Sequence, residues 1–208
     1  RIKPQNSRYL AFDDGTFYFP IGLNMAWYND SRMLDYQEWL SALDDAGGNY
    51  IRVWLIHYGF GFEWIDTGLG TYGGRQDRMY ELDVLLEMLA EHDMYMMLTF
   101  LTHTAFSLQV DSQWADNPYN VSNGGMIETP EEFVTHPEAL RLWRMQLRYI
   151  VARWGYSPNI MAWEWWNEVN WTAIANTDIL IPWMEDSAEY LRSLDPNKHL
   201  ISHSGSTI

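Results

Sequence analysis

Cysteine is absent from the sequence of 208 residues. Disulfide bonds, thiolate metal ligands and cysteine nucleophiles are therefore excluded, whereas the redox compartment stays open. Long apolar runs are missing too, because acidic residues or histidine interrupt every helical stretch. We therefore expect no segment to span a bilayer. Residues 1–7 lack the apolar core of a signal peptide, and an opening Arg in place of Met predicts a processed or partial chain.

Basic residues are scarce. Lys and Arg number 13 against 28 Asp and Glu, which gives a formal net charge of −15. Such a charge repels nucleic-acid backbones and anionic membrane surfaces, and no local basic cluster offsets it. We therefore expect neither nucleic acid nor a membrane as a partner, and a neutral ligand fits this charge better.

Aromatic residues are abundant, with 12 Trp and 13 Tyr. Their faces bind sugar rings, whose C–H surfaces are apolar and whose hydroxyl groups need a polar rim. A Trp-rich core explains the same composition equally well. The content of 47% hydrophobic and 20% charged residues predicts one globular domain over residues 1–208.

Apolar strands and amphipathic helices alternate along the chain. A hairpin is predicted over residues 8–19, with its turn at Asp13, Asp14 and Gly15. Helices are expected from a capping pattern at 35–38, around 82–89, from a second capping pattern at 135–138, and around 184–194. Buried strands are expected at residues 21–24, 49–55, 95–101, 160–166 and 200–202. This order predicts an α/β fold with a parallel sheet covered by helices.

The connections from strand to helix are long, and those from helix to strand are short. Residues 57–79 and 102–134 form loops rich in Gly, Asn and aromatic side chains, too long for simple connectors. We therefore expect the functional site at the C-terminal ends of the strands. Residues 117–120, followed by Gly124 and Gly125, are interpreted either as one wall of a substrate cleft or as a rigid Ω-loop.

Two carboxylates lie on the fourth predicted strand. Side chains alternate along a strand, which places on one face Ala162, Glu164, Trp166 and Glu168. A charged Glu164 inside a sheet needs a cation, and Arg52 on the second strand is the candidate. Glu168, at the C-terminal end of its strand and beside the long loops, is the candidate for chemistry.

The run from Trp163 to Glu168 resembles the fourth-strand signature of glycoside hydrolase family 5 and its wider clan of retaining barrel glycosidases. The resemblance extends over about residues 8–206. It includes, in matching places, Gly22, Leu23 and Asn24, residues 49–52, His103, and residues 149–155 before Asn159. It implies a (β/α)8 TIM barrel, in which active sites lie at the C-terminal ends of the strands.

A complete barrel needs eight β/α units, and the sequence holds four and a fifth strand. We therefore expect residues 1–208 to be the N-terminal part of a glycosidase barrel, with a hairpin at 8–19 and β/α units from residue 20. The absent C-terminal units, in the same gene product or a second chain, are expected to be needed for activity. An open five-stranded sheet is the structural alternative, although no Gly-rich phosphate turn follows its strands.

The resemblance also implies a mechanism. Glu168 would be the acid/base of a cofactor-free, retaining double displacement on a β-linked oligosaccharide or polysaccharide, and Asn167 would bind the sugar 2-hydroxyl. Arg52 would orient the nucleophile, which in this family is a Glu on strand seven and is not in this chain. The resemblance implies a secreted, extracellular enzyme. Further candidates for substrate binding are His103, Trp54, Trp171 and Asn24.

Other interpretations stay open. His57, His103 and His203 fall near strand ends and could form a three-His metal site, although the spacings of common metal hydrolases are absent. Arg52 could serve only as the buried partner of Glu164. A non-catalytic carbohydrate-binding barrel and a metal-dependent hydrolase are the alternatives to the glycosidase. The candidates for sugar platforms are Trp54, Trp64, Trp114, Trp166 and Trp171, of which the loop residues 64, 114 and 171 are favoured.

Overall fold

The computed structural model describes Ile2 and residues 8–205. An antiparallel hairpin comes first, with β1 (Leu10–Ala11) and β2 (Phe17–Tyr18). Gly15 in its turn has a φ of 91°, which glycine reaches without a steric penalty. The rings of Phe12 and Tyr18 pack on Tyr95, at the N-terminal end of the central sheet. The predicted hairpin is confirmed.

Five parallel strands form the central sheet. They lie side by side in chain order, each bonded to the next in parallel register, as β3 (Gly22–Asn24), β4 (Tyr50–Trp54), β5 (Tyr95–Thr102), β6 (Ile160–Asn167) and β7 (Leu200–Ser202). Each strand matches a predicted apolar segment. The predicted α/β fold with a parallel sheet is confirmed.

Four long helices and one single-turn helix connect these strands. They are α1 (Met33–Asp45), α2 (Gln76–Glu91), α3 (His103–Phe106), α4 (Pro137–Trp154) and α5 (Thr177–Leu194). None of the helices in the described part of the chain combines the length and the apolar character that a membrane span requires. Short 3-10 segments are Trp114–Asp116, Val121–Asn123, Pro130–Val134 and Val169–Trp171.

Two helices begin earlier than the sequence pattern predicts. Helix α1 begins before Asp35, because the Asp35 carboxylate does not cap the helix and instead accepts the Asn29 N–H at 2.7 Å. Helix α5 begins well before Met184, since Asn176 caps it through the Asp178 N–H at 3.1 Å. Pro182 lies inside α5 and removes only one of its backbone hydrogen bonds.

Tryptophan dominates the packing between the sheet and helices α4 and α5. Trp143 of α4 and Trp183 of α5 lie with their ring centroids 5.2 Å apart, and both contact Trp165 of β6. Trp163 of β6 is fully buried, and its Nε1 donates to the Asp195 carboxylate at 3.0 Å. For these four residues the abundance of Trp therefore reflects the core.

Candidate active site

Arg52 of β4 is the centre of a polar cluster inside the sheet. Its Nε donates to Glu164 Oε2 at 2.7 Å, and one terminal nitrogen donates to Asn167 Oδ1 at 2.8 Å. The other terminal nitrogen lies 3.4 Å from Asn24 Oδ1. The guanidinium carbon is 5.2 Å from the centroid of the Trp54 ring. Residues of three strands, all singled out from the sequence, therefore meet at one guanidinium.

Glu164 is almost completely buried, with a side-chain exposure of 2%. Besides Arg52, the Thr99 hydroxyl of β5 donates a hydrogen bond to the same carboxylate oxygen. A buried carboxylate of this kind is held by its partners and is not free for chemistry. Glu164 is therefore a poor candidate for the second carboxyl group of a retaining pair.

The orientation of the Asn167 amide follows from its neighbours. Arginine only donates, so the oxygen of Asn167 faces Arg52 and the Nδ2 group faces away from it. That Nδ2 lies 3.1 Å from Nδ1 of His103 and 3.2 Å from Oε2 of Glu168. His103 therefore accepts at Nδ1 and carries its proton on Nε2, a tautomer assigned from this network. Asn167 thus holds a donor beside the Glu168 carboxylate.

Strict alternation along β6, as predicted from the sequence, is wrong at its C-terminal end. Alternation would turn Asn167 away from Glu164, yet both side chains bind Arg52. Trp166, predicted to share the face of Glu164, instead packs against Trp183 of α5 and against Phe106 and Phe133. The large ring is buried on the helix side of the sheet. Trp166 therefore forms no sugar platform.

Glu168 follows β6 directly and has left-handed backbone angles, with φ 52° and ψ 52°. Few residues other than glycine adopt this conformation, and such residues often mark functional sites. Its side chain is 50% exposed, and its Oε2 lies 3.6 Å from Nδ1 of His103. Glu168 therefore stands at the rim of the sheet, in contact with solvent and beside the buried cluster around Arg52.

The aromatic candidates divide by exposure. Trp171 is 51% exposed in the 3-10 turn just after Glu168, and its N–H donates to the Glu168 carbonyl at 3.0 Å. Trp54 is buried between Arg52 and Trp27, whose ring centroid lies 5.3 Å away. Trp114 is buried against Phe106, so it contributes packing where an exposed platform was predicted. Of these three, Trp171 presents the most open ring.

The three histidines considered for a metal site do not form one. His57 stacks on one face of Trp64, a candidate platform, with ring centroids 4.1 Å apart and planes 9° apart. Burial lowers the pKa of His57 to about 4, and the nearby Arg75 and Arg78 add to this effect. In the described part of the chain, no three His, Asp or Glu side chains converge as metal ligands, so the three-His alternative has no support there.

Two arginines at the start of α2 fix the loop that carries His57. Arg75, almost fully buried, donates to the carbonyls of His57 at 2.7 Å and Gly61 at 3.0 Å. Arg78 donates to the carbonyls of His57 and Gly59. Carbonyl groups in a loop of this length need such partners when water cannot reach them. The long loop is therefore an ordered wall beside the site.

A buried carboxyl joins this wall to helix α4. Glu63 accepts the Gly70 N–H at 2.6 Å, and Gln146 of α4 donates a hydrogen bond to its other oxygen. It lines a cavity of about 70 Å³ together with Tyr119 and Trp64. Burial raises the pKa of Glu63 to about 7, although both hydrogen bonds act in the opposite direction. Glu63 is thus a titratable group that connects the loop after β4 to helix α4.

The segment around residues 117–125 is rigid, as expected for an Ω-loop. The amide groups of Asn117, Asn120 and Asn123 donate to backbone carbonyls of residues 105, 114, 115 and 117 at 2.7–3.1 Å. A Cβ on Gly125 would lie 2.1 Å from the Tyr119 carbonyl oxygen, so this turn requires glycine. The alternative interpretation as a wall of the substrate cleft stays a prediction.

Two residues of the cluster were not identified from the sequence. Thr99 binds Glu164, and Ser204, just after β7, binds the backbone N–H of Glu168 at 2.9 Å. Thr99 is one of two threonines in the otherwise mostly apolar β5, and this was the available signal. Ser204 carries no such signal, because its role depends on the pairing of β7 with β6.

The parallel order, the long loops at one end and the hairpin at the other are those of a (β/α)8 barrel, of which the described residues form the first five strands. A crystal structure of the endo-1,4-β-mannanase of Rhizomucor miehei has a TM-score of 0.67 over 95% of this chain and 58% of its own, at 19% identity. A glycoside hydrolase family 5 protein of Bacteroides vulgatus has a TM-score of 0.56 over 94% of this chain and 37% of its own, at 17% identity. The predicted barrel fold is confirmed.

Sequence similarity leads in the same direction. A probable mannan endo-1,4-β-mannosidase A of Aspergillus flavus is 25% identical over 205 residues, which is 92% of this chain and 49% of that protein. The chain therefore spans about half the length of the curated relatives it matches. No family model matches the chain. The expected resemblance to the family 5-like barrel glycosidases is confirmed.

Proposed function

We propose that this chain is the N-terminal part of a retaining glycoside hydrolase whose substrate is a β-linked mannan. Glu168 is its acid/base, and the nucleophile is a carboxylate of a later strand, outside residues 1–208. One observation carries the proposal: Asn167 and Glu168 lie side by side at the C-terminal end of β6, with the Asn167 amide held by Arg52. Active sites of (β/α)8 barrels lie at this end.

The cluster supplies the groups that the first half of a double displacement needs. Glu168 gives its proton to the glycosidic oxygen as the bond to the sugar breaks, and afterwards takes a proton from the attacking water. The Nδ2 group of Asn167 faces the same space and can exchange its 3.2 Å contact with Glu168 for a hydroxyl of the sugar. Arg52 is held by Glu164 and fixes Asn167, so the donor is oriented before substrate arrives.

The mannan substrate is proposed from the printed names of the relatives, several of which are mannan endo-1,4-β-mannosidases. A neutral polysaccharide suits a protein with a net charge of −15, since it meets no electrostatic repulsion. The exposed ring of Trp171, one turn from Glu168, offers a face for a sugar. An extracellular location is proposed together with the substrate, because a long polysaccharide does not enter cells intact.

The test compares the complete gene product that contains these residues with its Glu168→Gln variant on β-mannan and β-glucan. Gln keeps the size of the side chain and removes the proton donor, so we expect hydrolysis of mannan to fall by about 10²–10⁴-fold. Glu185→Gln, at an exposed position of α5, is the matched control and should retain full activity. Release of reducing sugar is the measurement.

Two results would contradict the proposal. Unchanged hydrolysis by Glu168→Gln would exclude the acid/base role. Binding of mannan by the intact protein with no release of product would favour the non-catalytic carbohydrate-binding barrel instead. Preferential hydrolysis of β-glucan would leave the mechanism in place and correct the substrate.

A further inference from the structure

The direction of the Glu168 side chain is set mainly by its backbone. The side chain is half exposed, and its carboxylate contacts only Asn167 Nδ2 at 3.2 Å and His103 Nδ1 at 3.6 Å among the described residues. Neither contact is short. The left-handed φ and ψ of Glu168 therefore decide where the Cα–Cβ bond points. Any group that holds those backbone angles also holds the carboxyl.

Ser204, two residues beyond β7, is bonded to the peptides on both sides of Glu168. Its hydroxyl oxygen accepts the Glu168 N–H at 2.9 Å and donates to the Trp166 carbonyl at 3.3 Å. Its own N–H donates to the same Trp166 carbonyl at 3.0 Å, and its carbonyl accepts the Val169 N–H at 3.2 Å. The backbone bonds join the two chain segments, and only the hydroxyl reaches the Glu168 N–H.

The hydroxyl also connects Glu168 to the buried cluster. A terminal nitrogen of Arg52 lies 3.5 Å from Ser204 Oγ, and the same nitrogen binds Asn167 Oδ1 at 2.8 Å. The guanidinium that fixes the Asn167 amide therefore also faces the group that fixes the Glu168 backbone. Arg52 therefore contacts both Asn167 and the hydroxyl that binds the Glu168 backbone.

We propose that Ser204 is a positioning residue for proton transfer by Glu168. The proposal rests on the proposed function, because it assumes that Glu168 is the acid/base. Without the hydroxyl, the Glu168 N–H loses its acceptor, and the left-handed conformation loses a bond that opposes its return to extended angles. The carboxyl then spends less time in line with the glycosidic oxygen. The bonds that form the substrate pocket stay in place.

Leaving-group dependence distinguishes this role from a merely structural one. An aryl glycoside with a strongly acidic phenol as leaving group departs without a proton, whereas the sugar alcohol of mannan needs one. In the complete gene product, we expect Ser204→Ala to lower kcat/KM for a mannan oligosaccharide by about 10–100-fold, a part of the full acid/base contribution. For a dinitrophenyl β-mannobioside the loss should stay below about threefold. KM should change little for either substrate.

A second pair of variants distinguishes loss of the hydroxyl from loss of folding. Thr and Val have the same shape and differ in the hydroxyl, so Ser204→Thr should keep most of the activity on the oligosaccharide and Ser204→Val should lose it. Ser193→Ala removes an exposed hydroxyl of α5 that donates to the Tyr190 carbonyl. This variant should leave kcat/KM unchanged for both substrates. Melting temperatures of all variants complete the comparison.

Equal losses on both substrates, no loss at all, or a Thr variant as impaired as Val would overturn the positioning role. The role would also be overturned if Ser204→Ala and Ser204→Val fail to fold while Ser204→Thr folds, since the hydroxyl would then serve the fold. Failure of the proposed function is recognised separately through Glu168→Gln. If that variant shows no greater loss on the oligosaccharide than on the aryl glycoside, Glu168 is not the acid, whatever Ser204 does.

Discussion

Arg52 and Glu164 form an ion pair with side-chain exposures of 14% and 2%. Burying two charges costs several kcal/mol per ion before their attraction and hydrogen bonds offset it, so such a pair is weak evidence for added stability. A rigid anchor is the better explanation for its presence. Arg52 of this pair also binds Asn167 and determines the orientation of its amide group. The pairing of Arg52 with Glu164 is thus observed, and the orienting of the nucleophile by Arg52 stays a prediction.

The left-handed backbone of Glu168 should be visible in stability as well as in activity. A side chain with a Cβ is destabilised by roughly 1–2 kcal/mol in this conformation, and glycine is not. We therefore expect Glu168→Gly to be more stable than Glu168→Ala by about 1 kcal/mol, although neither can donate a proton. Chemical denaturation of the two variants gives the difference.

Helix α5 provides the matched control for this comparison. At the exposed position Glu185 the backbone is helical, where glycine is less stable than alanine by about 1 kcal/mol. The Gly variant should therefore be the more stable of the two at residue 168, and the Ala variant the more stable at residue 185. The same order at both positions would show that Glu168 is not held in the left-handed conformation in solution.

At the scale of elements, local patterns predicted what depends on local physics. Apolar segments of strand length and their order determine the sheet, and the hairpin turn follows from Asp13, Asp14 and Gly15. The interior position of Arg52 and its bond to Glu164 also followed, because a buried carboxylate needs a cation. These features are decided by residues within one element or by the pairing of opposite charges.

Features decided between elements were not predictable in this way. The start of α1 depends on Asn29, which draws Asp35 away from the cap. The turn of Asn167 into the sheet depends on the aromatic cluster that receives Trp166. The contact of Ser204 with Glu168 depends on the register between β6 and β7. In each case tertiary contacts outweigh a local preference of about 1 kcal/mol.

Glu63 links the long loop after β4 to α4 and should make the free energy of unfolding depend on pH. Its pKa in the folded chain is about 7, raised by burial from an ordinary value of 4.5. The folded state therefore holds this proton more tightly than the unfolded state. Its stabilising contribution is complete below about pH 4.5 and is lost as the pH rises to about 7. The difference amounts to at most about 3 kcal/mol.

Replacement of Glu63 by Gln should remove this dependence, because Gln imitates the protonated carboxyl and the Gln146 amide can turn to accept from it. We expect the Glu63→Gln variant to be close to the unmodified protein in free energy of unfolding at pH 5 and more stable at pH 8. Urea denaturation at both pH values measures this. Glu189→Gln on the exposed face of α5 is the control, and a Glu63→Gln variant that is less stable than the unmodified protein at pH 8 would contradict the explanation.

At the scale of the whole molecule, the described sheet has two edges. Strands β3 and β7 each pair on one side only within the described residues. Ile21 and Leu23, at the β3 edge, are more than half exposed. A closed barrel pairs every strand and covers such residues. These edges support the proposal that further strands, among them one carrying the nucleophile, complete the barrel.

Completion of the barrel also matters for the chemistry. Retention requires two carboxyl groups about 5–5.5 Å apart, and Glu164 is a poor candidate because it is buried and bonded to Arg52 and Thr99. Under the proposed function, the partner of Glu168 faces it across the rim from strands beyond β7. Under this proposal, the five strands supply the proton and the sugar contacts, and the remaining strands supply the attack on the anomeric carbon.

The most direct test of Glu168 as acid/base is azide rescue of Glu168→Ala in the complete gene product. A dinitrophenyl β-mannobioside needs no proton to form the glycosyl-enzyme, which then accumulates because no base activates water. Azide needs no base, so added azide should restore turnover and yield the β-mannobiosyl azide, identified by the configuration at its anomeric carbon. No rescue, or an α-azide as product, would contradict the assignment of Glu168.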